Sequence, residues 1–277
     1  MLLKILLDRR AIYTLIIVVI IVPFFITLQL PIHKTEPAVH LFEAIDRAIE
    51  DGKPILISMD FDASVKGECQ PMAEAVMRHV FAKKGKVIVM TFLITAPGLC
   101  REIMRKTADE YDAEYGKDYV FLGFKPQLQQ MILGMGKDIT SVYPVDADNT
   151  PISQMDVTRN VKNFDDIGLV LTISGTDLPL AWITYAEGEY GAVVGVGTTA
   201  VAATQYSPFL QSKQIKGLLP GINGALTYEK ILLDKGYVKK LGDAGRMANT
   251  QSAAHIVIIL FVVVGNIVFF ISKRRHT

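Results

Sequence analysis

Hydrophobic residues fall along this chain in two textures. Each end carries one long unbroken apolar run, residues 11–30 (AIYTLIIVVIIVPFFITLQL) and residues 253–272 (AAHIVIILFVVVGNIVFFIS). Neither run contains Asp, Glu, Lys or Arg, and each matches the ~20 residues that carry a helix across ~30 Å of hydrocarbon. Between them the apolar runs are short and separated by amphipathic stretches. Runs at 54–59 (PILISM), 86–93 (KVIVMTFL), 119–123, 169–173, 192–196 and 215–219 predict strands buried on both faces. Segments 40–51, 71–84, 97–115, 127–133, 177–190, 199–210 and 222–236 predict helices, with Pro71 and Pro97 at helix starts and Gly52, Gly85 and Gly116 at stops.

Apolar strands alternating with helices predict a parallel sheet covered on both sides. The expected fold is therefore α/β, a Rossmann-like three-layer sandwich with a mostly parallel sheet, flanked by one N-terminal and one C-terminal transmembrane helix. Residues 32–250 form the soluble domain, arranged as two βαβ halves, about 37–140 and 165–240, around a less regular stretch near 140–165. Residues 242–250 read as a small-residue linker.

Charge orients this layout. Six of the 29 basic residues (Lys4, Arg9, Arg10, Lys273, Arg274 and Arg275) flank the apolar ends, against one of the 28 acids, Asp8, so the middle is mildly acidic. Basic flanks remain on the cytoplasmic side. The expectation is a two-pass protein of the cell membrane. Tails 1–10 and 273–277 are cytoplasmic, 11–31 is an uncleaved signal anchor, 251–272 is the second span, and the middle domain is extracytoplasmic. The first run is longer than a signal-peptide core and no small-residue cleavage site follows it. Its partners are the lipid bilayer and either a second copy or another membrane protein. The absence of a basic stripe argues against nucleic acid. Pro23 predicts a kink in the first span. In the second, Gly265 and Asn266 mark a packing position: Asn266 faces the other span or a neighbouring subunit, or bonds its own helix.

QPMAEAVMRHVF (70–81), YGKDYVFLGFKP (115–126), ILGMGKDI (132–139) and QSAAHIVIIL (251–260) resemble an uncharacterised family of microbial two-span membrane proteins with a central α/β domain. The resemblance covers most of the chain. It implies the topology and brings no activity, cofactor or catalytic residue with it.

Open parallel sheets bind ligands outside the carboxyl ends of their strands. There, Asp60-Phe61-Asp62-Ala63-Ser64 looks like the first motif of the haloacid dehalogenase-like phosphotransferases. That resemblance implies Asp60 as nucleophile, Asp62 as acid/base, Thr91 or Thr95 as phosphate hydroxyl, Lys125 as the neutralising lysine and Mg²⁺ as the metal. Ser174-Gly175-Thr176-Asp177 supplies one acid where that family needs an acidic pair, and Ala63 replaces the flap glycine. The other reading is a solvated strand exit. Gly195-Val196-Gly197-Thr198-Thr199-Ala200 predicts a turn into a helix whose amides meet an anion, or a capped helix start. Ser174 and Thr176 lie at the same edge. Cys69 and Cys100, the two cysteines, follow adjacent strands; two unpaired thiols is the favoured reading, with a disulfide between them as the alternative. No metal-ligand spacing is present. The histidines are scattered, and His79 and Trp182 read as structural.

Three functions remain. The favoured expectation is a non-catalytic, cofactor-free interaction or scaffold domain tethered to the membrane and assembling into an oligomer. The second is a small-molecule or anion sensor using Ser174, Thr176, Gly197, Thr198 and Thr199. The third is a Mg-dependent phosphatase using Asp60, Asp62 and Lys125.

Overall fold

The computed structural model describes residues 9–25 and 35–275. In chain order its elements are α1 (Arg9–Phe25), α2 (Glu36–Glu50), β1 (Ile55–Asp60), α3 (Lys66–Ala82), β2 (Val87–Thr91), α4 (Pro97–Asp109), β3 (Tyr119–Phe124), α5 (Leu128–Met135), α6 (Ile139–Val142), β4 (Leu169–Ser174), α7 (Leu178–Ala181), a π-helical stretch (Trp182–Glu187), α8 (Gly188–Tyr190), β5 (Val194–Thr198), α9 (Ala203–Gln211), β6 (Gly217–Pro220), α10 (Gly221–Asp234) and α11 (Asp243–Arg275). They fall into two compact units, Ile32–Gly242 and Met1–Pro31 with Asp243–Thr277.

In the larger unit six strands form one parallel sheet of order β3-β2-β1-β4-β5-β6. The order reverses between β1 and β4, where the crevice of an open α/β sheet forms. β1, β2, β4 and β5 are buried along their whole lengths, which explains why they are largely apolar. Helix α2 buries Ala38, Leu41, Phe42, Ile45 and Ala48, a helical stripe that packs on the first face of the sheet together with α3 and α10. The second face carries Leu56, Ile88, Val120, Val170 and Val194 beneath Ile132, Ile139, Trp182 and Tyr206.

Several local expectations shift. Gly195 and Gly197 lie inside β5, not in the turn after it. A Cβ on Gly195 would sit 2.5 Å from Leu41 Cδ1, and one on Gly197 would sit 3.1 Å from Met72 Sδ. These glycines let α2 and α3 approach the sheet closely. The following helix opens only at Ala203. Helix α3 begins at Lys66 and carries Pro71 inside it. Helix α4 stops at Asp109, shortly before Asp112 turns the chain with φ +53°. The stretch 242–250 is not a linker. From Asp243 onward it is the start of α11, in keeping with its Ala, Arg and Met content.

In the smaller unit α1 and α11 pack together. Ile12, Leu15, Ile16 and Val19 form a half-buried stripe on α1, and Val257, Phe261, Val264 and Val268 form one on α11. Among the described residues α11 is the one helix long and apolar enough to cross a membrane, over Asp243–Val268. The first apolar run is helical through Phe25, with Pro23 inside the helix, and its residues 26–30 lie outside the described residues.

Candidate functional site

The crevice at the β1/β4 reversal is built from a sequence signal that alternation makes legible. β1 reads ILISMD and β4 reads LVLTIS, so each strand ends with polar residues at i and i+2. Leu56 and Val170 face the second side, and period two places Ser58, Asp60, Thr172 and Ser174 on that side as well. Ser58 pairs across the ladder with Thr172, Asp60 with Ser174, and Ser174 with Thr198. The result is a polar row on the otherwise apolar second face, at the carboxyl end of the sheet.

Asp60 is fully buried. Its carboxylate accepts hydrogen bonds from Ser58 Oγ (2.5 Å), the Phe92 backbone N–H (2.6 Å) and Thr91 Oγ1 (3.2 Å). Burial pushes this carboxyl up to about 6, although the three donors pull the other way. Asp62, two residues on, is turned to the surface. It accepts from Ser64 Oγ (2.6 Å) and Ser64 N–H (2.9 Å), and these bonds hold it below the usual carboxylate range. The two carboxylates thus engage separate partners. Among the described residues no three His, Cys, Asp or Glu side chains gather as metal ligands would.

Other edge residues are bound locally. Thr198 Oγ1 donates to the Ser174 carbonyl (2.8 Å), and the Ser174 and Thr176 hydroxyls lie 2.9 Å apart. Thr199 is buried, with its Oγ1 accepting from Ala202 N–H at 3.4 Å. The Ala200 N–H donates to the Glu68 carboxylate (2.8 Å), so the turn amide expected to meet an anion meets one from α3. Cys69 and Cys100 are buried free thiols, both pushed up to about 12 by burial.

Three residues in and around the polar row stand apart, and of them only Thr172 is marked by the strand's i, i+2 pattern. Tyr143, Thr172 and Trp182 are fully buried, and the Tyr143 hydroxyl, Thr172 Oγ1 and Trp182 Nε1 lack hydrogen-bond partners. The Trp182 ring lies 5.9 Å from that of Phe92, the residue whose N–H holds Asp60. The Lys125 ammonium stands 5.6 Å from the centre of the Tyr143 ring.

The first face carries a second buried polar cluster. His79, fully buried on α3, places Nδ1 2.7 Å from the Tyr228 hydroxyl and Nε2 3.0 Å from Asp46 Oδ1. A neutral imidazole satisfies both, with Nε2–H donating to Asp46 and Nδ1 accepting from Tyr228. Burial pushes His79 down to about 4, against the pull of Asp46. Burial alone would raise Asp46, but bonds from Lys83 and His79 outweigh it and hold that carboxyl low. Phe42 stacks on the imidazole at 4.1 Å.

Two surface concavities lie elsewhere. One of about 390 Å³ is lined by Arg101, Tyr115, Tyr119, Phe121 and Asp148. The other, of about 430 Å³, runs between α2 and the 210–216 segment. Neither includes a residue of the Asp60 cluster. No protein-family model, no curated protein and no solved structure matches this chain.

Proposed function

We propose that the chain is a membrane-anchored interaction domain that self-associates through its apolar helices, with the α/β unit on the extracytoplasmic side. The observation that carries this is the placement of Gly265 and Asn266. Both are exposed on α11, outside its half-buried stripe, and a Cβ added at Gly265 would meet nothing within 4 Å. An amide side chain facing lipid is costly, and a small residue beside it lets another backbone approach. A second copy supplies both the partner for the amide and the close contact, at a gain of about 1 kcal/mol. The basic residues beyond both apolar ends support the orientation.

The test is cross-linking in native membranes. Gly265→Cys is expected to give a disulfide-linked dimer on mild oxidation, while Cys at Ile259, an exposed position on the same helix, gives less. Asn266→Leu is expected to shift the full-length protein toward monomer in mild detergent. A wild-type chain that runs as a monodisperse monomer, with no Gly265→Cys cross-link, overturns the reading.

A further inference from the structure

The polar groups above β1 and β4 show an unbalanced demand. A buried hydroxyl or indole N–H without a partner is costly, and native proteins carry few of them. Here three fully buried side chains, Tyr143, Thr172 and Trp182, lack partners, and all three belong to the second face. The indole N–H can only donate, so its missing partner is an acceptor. Among the described residues no ion pair holds Lys125, whose ammonium stands over the Tyr143 ring. Asp60 does not meet this demand: its hydrogen bonds come from Ser58, Thr91 and Phe92, and none comes from the three orphaned groups. What is unmet is acceptor oxygen and negative charge together.

We propose that a small oxyanion, a carboxylate or a phosphate, binds among these side chains, with the Lys125 ammonium, the Tyr143 hydroxyl and the Trp182 indole N–H as its donors and the Thr172 hydroxyl as a fourth. The site differs from the Thr198–Thr199 turn, whose Ala200 amide is already taken by Glu68. It does not depend on self-association through α11. Charge-assisted donors of this kind bind oxyanions more strongly than neutral ones do.

Trp182 is the only tryptophan of the chain, so its indole N–H gives one resonance that reports the site directly. The full-length ¹⁵N-labelled protein in detergent is titrated with sodium phosphate, and separately with sodium acetate, at constant ionic strength set by sodium chloride. A saturable downfield movement of the indole resonance with one salt names the anion class, and with both it defines a general oxyanion site. Lys125→Met and Tyr143→Phe are each expected to raise the half-saturating concentration by roughly tenfold or more, while Thr176→Ala leaves it unchanged. The proposal is overturned if neither salt moves the resonance, as when an internal water already satisfies the indole. It is equally overturned if chloride moves the resonance as much, or if a folded Lys125→Met titrates like wild type. The wild-type titration decides the matter should a variant fail to fold.

Discussion

The two faces of the sheet each bury a polar cluster, and the clusters are opposites. In the first-face cluster around His79 the groups are matched: His79 joins Tyr228 and Asp46, and Lys83 closes the circuit from α3 to α2. On the second, Asp60 is matched while Tyr143, Thr172 and Trp182 are not. A saturated network ties three helices together and has nothing left to offer a ligand. An unsaturated one is less favourable in isolation and retains donors for something the chain does not supply. The contrast separates a structural clasp from a candidate site by bond accounting alone.

The largest expected effect breaks the saturated face. His79→Ala removes two hydrogen bonds and the ring stacked on Phe42, and should destabilise the full-length protein by about 4 kcal/mol in chemical denaturation. A loss below about 1 kcal/mol would mean that the cluster is not a clasp.

Next in size is an opposition in pH. His79 is lowered from 6.5 to about 4, so its contribution is complete above 6.5 and is lost as pH falls toward 4. Asp60 is raised from 3.8 to about 6, so its contribution is complete below 3.8 and is lost as pH rises through 6. Each amounts to about 3 kcal/mol at most, and between pH 4 and 6 the two slopes partly cancel. Asp60→Asn should therefore steepen the loss of stability on acidification, and His79→Leu should flatten or invert it. Denaturation midpoints at pH 4.5, 5.5 and 6.5 (roughly spanning that window) read both slopes. Parallel slopes in the two variants would break the comparison.

The smallest effect is the sharpest discriminator. Tyr228→Phe removes a bonded hydroxyl and should cost about 1–2 kcal/mol. Tyr143→Phe removes an unbonded one and should cost close to nothing in oxyanion-free buffer. Equal losses at the two positions would show that Tyr143 is bonded in solution and that the second face is saturated too.

Much of the fold was legible in the residue pattern. Each of the six strands was expected within about two residues of its place, because a strand buried on both faces is apolar along most of its length. The boundaries that moved did so for tertiary reasons. Gly195 and Gly197 look like a turn until Leu41 and Met72 are seen against them. Trp182 and His79 both read as structural, and both are buried; what the sequence did not show is that both ring nitrogens of His79 are bonded and the Trp182 indole is not. The i, i+2 polar endings of β1 and β4 carried the one signal that pointed to the second-face row.

Sequence alone determined the apolar ends, the alternation of strand and helix, and the polarity of the strand tips, because these depend on local period and composition. The tertiary structure alone decided which polar groups find partners. That choice depends on which strands become neighbours in the 3-2-1-4-5-6 order and on side chains as far apart in sequence as Asp60 and Trp182. Hydrogen-bond satisfaction is a property of the pair and not of the residue, so Tyr143 and Tyr228, identical as letters, differ only once the chain has folded.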